Sequence, residues 1–372
     1  MMFFMRRGFV SGVILFVLFV LPLEAASIKP LIEIGGNSSL TSAGFSPAGH
    51  AASGGFDGYV RLYRVKDGAP VSVFRHGAVI EAFAFSSDGK YMASAARDKT
   101  VKLWNAQTGA LIKTFDGHGD IMLSCAFSPD SALLLAGTAN TIFVYSTGGV
   151  KKLFEIKLDM KWARALKFSA DGSYLAAAAG SEAVVWNVKR GDIGAILTGR
   201  AGIRLDNARG FDYRSKVYAL DISRDSQIIA LGGEGGAVYA WRLEDGMSLW
   251  STAAHEGIIW ALAFNPALPY FATGSKDGFV RLWGSHTGEM KGGFDSGSAV
   301  HGAAFSPDGS RFCAALQDGR LLIFGSGTKR DYSRMLSIAA VLAAFFLVLA
   351  GGVLLVVIKL KGMKKKDNKT EK

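Results

Sequence analysis

Short runs of alternating apolar and polar residues recur along most of this chain, and turns rich in Asp, Gly and Ser separate them. The clearest unit spans residues 76–109 and contains three such runs, at 80–86, 91–95 and 101–104. A fourth run follows a Thr-Gly turn, at 110–115. Alternation bounded by turn residues is typical of β-strands. The unit therefore predicts four antiparallel strands whose faces are too apolar to be stable alone in water.

The same unit repeats along the chain. The large apolar residue of the first run recurs at Phe45, Phe85, Phe127, Phe168, Ile222, Phe264 and Phe305. The spacing is 40 to 42 residues, except for one step of 54. The aromatic residue that ends the third run recurs in parallel, at Tyr63, Trp104, Tyr145, Trp186, Trp241, Trp283 and Phe324. Two independent markers thus predict seven four-stranded units.

The repeats carry recognisable turn and strand motifs. The turn after the first run reads FSP at 45–47, FSPD at 127–130 and FSPDG at 305–309, and the third run ends in Leu-Trp at 103–104 and 282–283. With the period, these motifs resemble WD-repeat β-propellers. Over roughly residues 28–325 the resemblance implies an all-β, seven-bladed β-propeller of four-stranded antiparallel blades. It also implies a non-catalytic scaffold that mediates protein-protein interaction.

In that family a His, a Ser or Thr, an Asp and the Trp form a hydrogen-bonded tetrad inside a blade. Two repeats carry all four residue types at matching offsets, and these are His76, Ser94, Asp98 and Trp104, and His255, Thr273, Asp277 and Trp283. The other five repeats keep only part of the set. Those five blades are therefore expected to be held together mostly by apolar packing.

The ends of the repeat array predict how the ring closes. The run at 28–34 precedes the first repeat, while the seventh repeat ends after its third strand, at 320–324. The spare strand can supply the missing fourth strand of the last blade. Pairing the two ends of the chain would close the ring and remove an open sheet edge.

The 54-residue step contains an Arg-rich stretch at 200–214. In WD-repeat propellers the link from a fourth strand to the next first strand lies on the face that usually meets partners. The stretch, with Arg204 and Arg209, is therefore a candidate binding loop. A solvated excursion with internal Arg–Asp pairs is the alternative, and the sequence leaves both open.

The same face is expected to display one residue from the start of each first strand, four positions before its aligned apolar residue. These are Thr41, Glu81, Leu123, Arg164, Tyr218, Trp260 and His301. Residues before the second turn join them, at Phe56, Arg97, Lys276 and Gln317. Aromatic and Arg side chains often anchor protein interfaces. The predicted partner-binding residues are Arg97, Arg164, Arg204, Arg209, Tyr218, Trp260, Lys276 and His301.

The two ends of the chain predict export and a membrane anchor. Arg6 and Arg7 precede an uncharged run at 8–23 and then small residues, which is typical of a secretory signal peptide over 1–26. A short uncleaved N-terminal anchor is the alternative. Residues 335–358 carry no charge. A helix of that length, at ~1.5 Å per residue, would cross a hydrocarbon core of ~30 Å.

The charges around this single span predict its orientation. A juxtamembrane link at 329–334 carries three basic residues, whereas the tail at 359–372 carries seven lysines. The positive-inside bias places the tail in the cytoplasm and the propeller, 27–328, on the extracytoplasmic side, periplasmic if the protein is bacterial. The tail accounts for +5 of the formal net charge of +11. Basicity therefore indicates a membrane surface, and no nucleic-acid partner is predicted.

No enzyme is predicted from the chemistry-bearing residues. No His or Cys cluster has metal-ligand spacing, no Ser lies in a G-x-S-x-G motif, and the Gly-rich stretch at 232–236 lies between strands. Neither a metal nor a cofactor is expected. Cys125 and Cys313 lie on strands of distant units and are predicted to be buried free thiols.

Residues 236–250 also resemble a blade of quinoprotein-type propellers. An exported ligand-binding sensor or a quinoprotein-like propeller, using the central channel near His301 and Trp260, is therefore the alternative function. The preferred interpretation is a membrane-anchored scaffold for protein partners of the envelope or membrane.

Overall fold

A computed structural model describes residues 29–36, 38–158, 163–188, 202–205 and 216–325. Every regular element in these ranges is a β-strand, and the strands form seven antiparallel sheets of four. The all-β, seven-bladed propeller predicted from the repeats is confirmed. Each sheet is one blade, and its first strand lies next to the central channel.

The strands follow the blades in chain order. Blade 1 consists of β2 (Leu40–Phe45), β3 (Ala51–Gly55), β4 (Tyr59–Tyr63) and β5 (Pro70–Arg75), and blade 2 of β6 (Ile80–Phe85), β7 (Tyr91–Ala96), β8 (Val101–Asn105) and β9 (Leu111–Phe115). Blade 3 consists of β10 (Ser124–Phe127), β11 (Leu133–Gly137), β12 (Thr141–Ser146) and β13 (Lys151–Lys157), and blade 4 of β14 (Ala163–Phe168), β15 (Tyr174–Ala179), β16 (Glu182–Asn187) and β17 (Gly202–Leu205). Blade 5 consists of β18 (Val217–Ile222), β19 (Ile228–Gly233), β20 (Ala237–Arg242) and β21 (Ser248–Ala253), and blade 6 of β22 (Ile259–Phe264), β23 (Tyr270–Ser275), β24 (Phe279–Gly284) and β25 (Met290–Asp295). Blade 7 consists of β26 (Val300–Phe305), β27 (Arg311–Leu316), β28 (Leu321–Gly325) and β1 (Ile32–Ile34).

The repeated Ser-x-Asp-Gly motif builds the turn between the first two strands of a blade. In blade 2 the Ser86 hydroxyl donates to Asp88 at 2.7 Å, and the same carboxylate accepts the backbone N–H of Lys90 at 3.0 Å. Gly89 follows with φ of 71°, a left-handed conformation that glycine adopts without steric cost. The complete motif stands in blades 2, 4 and 7, where it determines this hairpin through local contacts.

The core lies between neighbouring blades. The second strand of a blade is almost fully buried: β7 has one residue of intermediate burial followed by five buried ones. The outer strand β5 is largely exposed. One apolar cluster joins blades 2 and 3 and contains Leu103, Met122 and Leu134, each with 0% exposure. Burial of apolar surface between sheets is the main stabilising contribution, and it accounts for the cohesion of blades that lack a tetrad.

The two ends of the array close the ring as predicted. β1 pairs antiparallel with β28, with Ile32 opposite Ile323 and Ile34 opposite Leu321. Arg320 of blade 7 contacts Glu33 at 3.3 Å across this pairing. The predicted spare strand therefore supplies the outer strand of blade 7.

The structure corrects the interpretation of the Arg-rich stretch. Gly202–Leu205 forms β17 and pairs with β16, with Arg204 opposite Val184. Part of the predicted binding loop is therefore the outer strand of blade 4. The extra residues of this repeat lie on both sides of β17. A long segment separates β17 from the end of β16 at Asn187, and a second one separates it from the start of β18 at Val217.

The predicted signal peptide (1–26), juxtamembrane link (329–334), transmembrane helix (335–358) and tail (359–372) lie outside the described residues and stay predictions. Within the ranges given above, no helix is long and apolar enough to cross a membrane. Cys125 and Cys313 are both buried free thiols, as predicted.

Candidate functional site

A β-bulge recurs at the start of the first strand in six of the seven blades. In blade 2 the pairing with the second strand passes from Ile80 directly to Ala82, which leaves Glu81 as the extra residue. The same shift leaves one residue unpaired in blades 1, 4, 5, 6 and 7, and these are Thr41, Arg164, Tyr218, Trp260 and His301. Bulges redirect side chains and are frequent near functional sites.

The bulge residues surround one cavity at the mouth of the central channel. Its volume is about 450 Å³. All seven side chains that the sequence placed at the start of the first strands line it, namely Thr41, Glu81, Leu123, Arg164, Tyr218, Trp260 and His301. Phe56 and Arg97 join them from the second turns of blades 1 and 2. These nine residues are called the channel mouth below, and the face on which they lie is called the channel face.

Four neighbouring blades join their channel-mouth side chains into one arc. The guanidinium carbon of Arg164 lies 4.8 Å from the ring centroid of Tyr218. Tyr218 and Trp260 meet edge to face with centroids 4.7 Å apart, and Trp260 meets His301 in the same manner at 5.7 Å. Aromatic pairs at these distances and angles attract one another beyond the area they bury. The arc therefore positions an Arg, a Tyr, a Trp and a His across blades 4 to 7.

Across the channel mouth, Arg97 of blade 2 binds two neighbours. Its guanidinium forms a salt bridge with Glu81 of the same blade. The same group lies 5.1 Å from the ring centroid of Phe56 in blade 1. Phe56 is 44% exposed, which is high for a large apolar side chain. A partly exposed aromatic ring with an Arg side chain near its face is typical of a residue that anchors a protein interface.

The channel mouth carries a positive charge. Its charged side chains are Arg97, Arg164 and Glu81, so two arginines and one glutamate give a net charge of +1. Burial lowers the pKa of His301 from 6.5, and the Leu40 carbonyl and the Glu81 charge oppose that shift only in part. His301 is therefore neutral near pH 7, and its Nδ1–H donates to the carbonyl of Leu40 at 3.0 Å.

Two polar atoms near the channel have no partner. Trp260 Nε1 and Ser42 Oγ are buried, and neither forms a hydrogen bond to any described residue. An unpaired buried donor costs about 1–3 kcal/mol of stability. The indole ring is thus held by its contacts with Tyr218 and His301 and not by a hydrogen bond of its own.

Lys276, another predicted binding residue, does not line the cavity. It lies in the second turn of blade 6, where its backbone N–H donates to the Ile258 carbonyl at 2.8 Å. Arg204 belongs to the outer strand β17, where it is paired with Val184. Arg209 lies outside the described residues. The structure therefore brings together Arg97, Arg164, Tyr218, Trp260 and His301 around the cavity, and the binding roles of Arg204 and Arg209 stay predictions.

Both tetrads predicted from the resemblance are connected by hydrogen bonds. In blade 2, the Ser94 hydroxyl lies 2.7 Å from Nδ1 of His76 and accepts Trp104 Nε1–H at 2.9 Å, while His76 Nε2 faces Asp98 at 3.3 Å. In blade 6, Thr273 accepts Trp283 Nε1–H at 2.8 Å and lies 2.7 Å from His255 Nε2. Asp277 lies 3.0 Å from the other nitrogen of His255.

Burial keeps these two histidines neutral. Desolvation lowers the pKa of His76 to about 4 and that of His255 to about 4, although the neighbouring aspartates favour the charged form. A neutral imidazole has one donor and one acceptor nitrogen, and each tetrad uses both. Both imidazole rings are fully buried inside their blades, which indicates a structural role.

Blade 3 contains a shorter polar connection that the sequence comparison of tetrads did not predict. His118 Nε2 forms a hydrogen bond with the Tyr145 hydroxyl, and His118 Nδ1–H donates to the Lys99 carbonyl at 2.7 Å. Tyr145 stacks on Phe115, with centroids 4.1 Å apart. The aromatic that ends the third strand thus takes over the role that Trp has in blades 2 and 6.

An ion pair between first strands also went unpredicted. The residue before the aligned apolar residue is Gly or Ala in five repeats, but Lys167 in blade 4 and Asp221 in blade 5. Their Nζ and Oδ1 atoms lie 3.0 Å apart. Opposite charges at equivalent positions of neighbouring repeats were the signal in the sequence.

No group of three or more His, Cys, Asp or Glu in the described part of the chain is arranged to hold a metal ion.

Comparison with known proteins identifies the repeats. The family model "WD domain, G-beta repeat" matches residues 28–64, 68–105, 109–146 and 246–284. These segments correspond to repeats 1, 2, 3 and 6, which include both complete tetrads. The chain thus contains WD repeats, and its fold is a seven-bladed β-propeller.

Several curated proteins are similar to this chain. The human serine-threonine kinase receptor-associated protein is 24% identical over 284 residues, which cover 63% of this chain and 78% of the relative. Eukaryotic translation initiation factor 3 subunit I from Aspergillus fumigatus is 36% identical over 98 residues, covering 26% of this chain and 29% of the relative. The periodic tryptophan protein 2 homolog from Dictyostelium discoideum is 22% identical over 257 residues, covering 68% and 22%.

Proposed function

We propose that this WD-repeat propeller is a non-catalytic scaffold that binds a protein partner through its channel face, while a C-terminal span anchors it to a membrane on the extracytoplasmic side. The observation that carries the proposal is the ring of bulges. Six of the seven blades use the same backbone irregularity to direct a side chain to one cavity, and those side chains include Arg, Tyr and Trp. Residues of these types anchor many protein interfaces.

The relatives support a binding role. One is named as associated with a serine-threonine kinase receptor and another as a subunit of a translation initiation factor, so both names describe assembly with other proteins. Their partners are their own, and the similarity brings to this chain only the general role of an interaction module. WD-repeat propellers are generally non-enzymatic scaffolds, which is consistent with the proposed binding role.

The course of the chain supports a defined orientation at the membrane. β28 runs from the second turn of blade 7, on the channel face, to Gly325 on the opposite face. Leu31, 60% exposed, enters β1 from that opposite face too. The nine residues 326–334 could extend about 30 Å at ~3.4 Å per residue before the predicted span begins. A propeller anchored to the membrane at that end would have its channel face turned away from the membrane, toward partners.

A capture experiment with matched variants tests the interaction role. The full chain, solubilised in mild detergent and affinity-tagged, should co-purify with a stoichiometric protein partner. The double variant Tyr218→Ala, Trp260→Ala should lose that partner, whereas Val71→Ala and Val73→Ala, exposed on the outer strand of blade 1, should retain it. Equal capture by the channel-face and outer-strand variants would contradict the proposed surface.

Protease accessibility tests the membrane component separately. Protease added to intact cells or spheroplasts should digest the propeller and spare an epitope on the lysine-rich tail. Cleavage of the tail with survival of the propeller would contradict the extracytoplasmic location. That result would leave the scaffold role itself standing, because the capture experiment does not depend on topology.

A further inference from the structure

We infer that the channel mouth binds the carboxylate of an Asp or Glu side chain, presented by an acidic segment of the protein partner. This inference rests on the proposed function and names the chemistry of the partner. Three features of the channel mouth lead to it: the sign of its charge, the hydrogen-bonding character of its walls, and the contacts that already occupy its aromatic faces.

The charge of the channel mouth favours an anion. Arg97 and Arg164 contribute two positive charges, and Glu81 is the one carboxylate among the described residues that line the cavity. Glu81 is already paired with Arg97, and its side chain is 15% exposed. Because His301 is neutral near pH 7, it adds no charge. The partly enclosed walls also screen these charges less than open solvent would.

The polar groups of the walls are mainly donors. Arg97 and Arg164 are donors without any acceptor atom, and the indole Nε1–H of Trp260 is a donor that no described residue accepts. Because that atom is buried, the guanidinium groups of Arg97 and Arg164 are the donors that a ligand oxygen would contact. A carboxylate, which accepts up to four hydrogen bonds, complements such walls.

A cationic side chain fits the same cavity poorly. Aromatic cages bind cations through exposed ring faces. Here the Arg164 guanidinium already lies over Tyr218, and the Arg97 guanidinium lies over Phe56. An incoming Lys or Arg would therefore meet two positive charges in place of free ring faces. The contacts of the two arginines therefore disfavour a cationic ligand at the Tyr218 and Phe56 rings.

Calorimetric titration of the full chain in neutral detergent tests the inference with short peptides. A Glu-containing peptide with an amidated C-terminus should bind, and the matched Gln peptide should not. Arg164→Gln should lower the affinity for the Glu peptide about tenfold, the factor expected for one charge-assisted hydrogen bond. Glu81→Gln should raise that affinity several-fold, because Arg97 loses its internal acceptor and the net charge of the channel mouth rises. A purely structural role for these residues predicts no such gain.

The basic tail requires a matched control, because its seven lysines attract acidic peptides without specificity. Lys113→Gln, on the exposed outer strand β9, removes one positive charge as Arg164→Gln does but leaves the channel intact. It should bind the Glu peptide like the unmodified chain. If Lys113→Gln and Arg164→Gln have equal effects, the binding is non-specific and the inference is overturned.

Two further arms identify the source of the carboxylate. A Gln peptide with a free C-terminal carboxylate, and free glutamate, are titrated in parallel. Binding of either as tightly as the amidated Glu peptide would overturn the assignment to a side chain of a partner segment. Capture of a protein partner that is lost in the Tyr218, Trp260 variant but unaffected by Arg164→Gln would overturn the carboxylate inference and leave the proposed function standing.

Discussion

Lys167 and Asp221 join the first strands of blades 4 and 5, with Nζ and Oδ1 3.0 Å apart. The Asp221 side chain is 8% exposed, and its other oxygen accepts the backbone N–H of Phe264 in blade 6 at 2.8 Å. One carboxylate thus connects three consecutive blades. Two of these, blades 4 and 5, keep only the Trp of a tetrad, so the connection lies where the repeats have the fewest other polar links.

Replacing Asp221 with Ala should destabilise the ring strongly. The change leaves the buried Phe264 N–H without its acceptor and removes the partner of Lys167. We expect the free energy of unfolding to fall by about 3 kcal/mol, measured by urea denaturation of the full chain. Lys167→Ala should cost less, because Asp221 keeps two backbone N–H donors. Glu289→Ala, which breaks a surface pair with Lys291, should change stability by less than about 1 kcal/mol. Equal losses for Asp221 and Glu289 variants would contradict this account.

The tetrad of blade 2 makes a second prediction. Ser94→Ala removes one oxygen that both His76 and Trp104 contact, and it leaves the buried indole N–H unpaired. The expected loss is about 2–3 kcal/mol, seen as a lower midpoint of thermal unfolding. Ser251→Ala, on the exposed face of β21, is the matched control and should lie within about 0.5 kcal/mol of the unmodified chain. A Ser94 variant as stable as the Ser251 variant would show that the tetrad contributes little.

Two adjacent glycines test the closure of the ring. A Cβ on Gly36 would lie 2.1 Å from the carbonyl oxygen of Gly319, whereas a Cβ on Gly35 would meet nothing within 4 Å. Gly36→Ala should therefore push β1 away from β28 and cost about 1–3 kcal/mol. Gly35→Ala should leave the melting temperature nearly unchanged. If both variants melt alike, the pairing of the two chain ends does not stabilise the ring in the way described here.

Lowering the pH should reduce the free energy of unfolding of the propeller over the pH range in which its buried histidines titrate. The pKa values of His76 and His255 fall to about 4 from 6.5 in the folded chain, and burial also lowers those of His118 and His301. Between these two pH values the unfolded chain binds more protons than the folded chain. The contribution of the neutral histidines to the free energy of unfolding is therefore complete above pH 6.5 and is lost as the pH falls toward about 4.

Chemical denaturation at a series of pH values measures that loss. The slope between pH 6.5 and about 4 should decrease in His255→Gln. The aspartates titrate at lower pH, since the pKa of Asp277 falls to about 2 from 3.8, and do not contribute to this window. A free energy of unfolding that stays constant between pH 6.5 and 4 would contradict the buried, neutral state of these histidines.

The fold followed from the sequence because its determinants are local and repeated. Strand alternation predicted the strands, turns related to Ser-x-Asp-Gly separated the first two strands of most blades, and the count of strands required one end of the chain to complete the other. The outer strand of blade 4 did not follow. Outer strands are largely exposed, as in β5, so burial imposes little pattern on them, and Gly202–Leu205 could not be distinguished from a loop.

The channel mouth was predictable in position but not in geometry. An offset of four residues from Phe85 identified Glu81, and the equivalent offset identified the other six lining residues. Regular alternation would direct Glu81 and Phe85 to the same side of the strand. The bulge between Ile80 and Ala82 breaks that relation. A bulge whose extra residue is not glycine, such as Glu81, has no simple signal in the sequence. Contacts between blades, such as Arg164 with Tyr218, require the assembled ring.

Site-specific photo-crosslinking in living cells tests whether the partner binds the channel face. A photoreactive residue replaces Lys276, in a second turn on the channel face, or Lys66, an exposed residue in a turn on the opposite face. We expect one dominant protein adduct from position 276 and none from position 66, and loss of the adduct when Tyr218 and Trp260 are replaced by Ala. An adduct only from position 66, or one that persists without Tyr218 and Trp260, would contradict the channel face as the partner-binding surface.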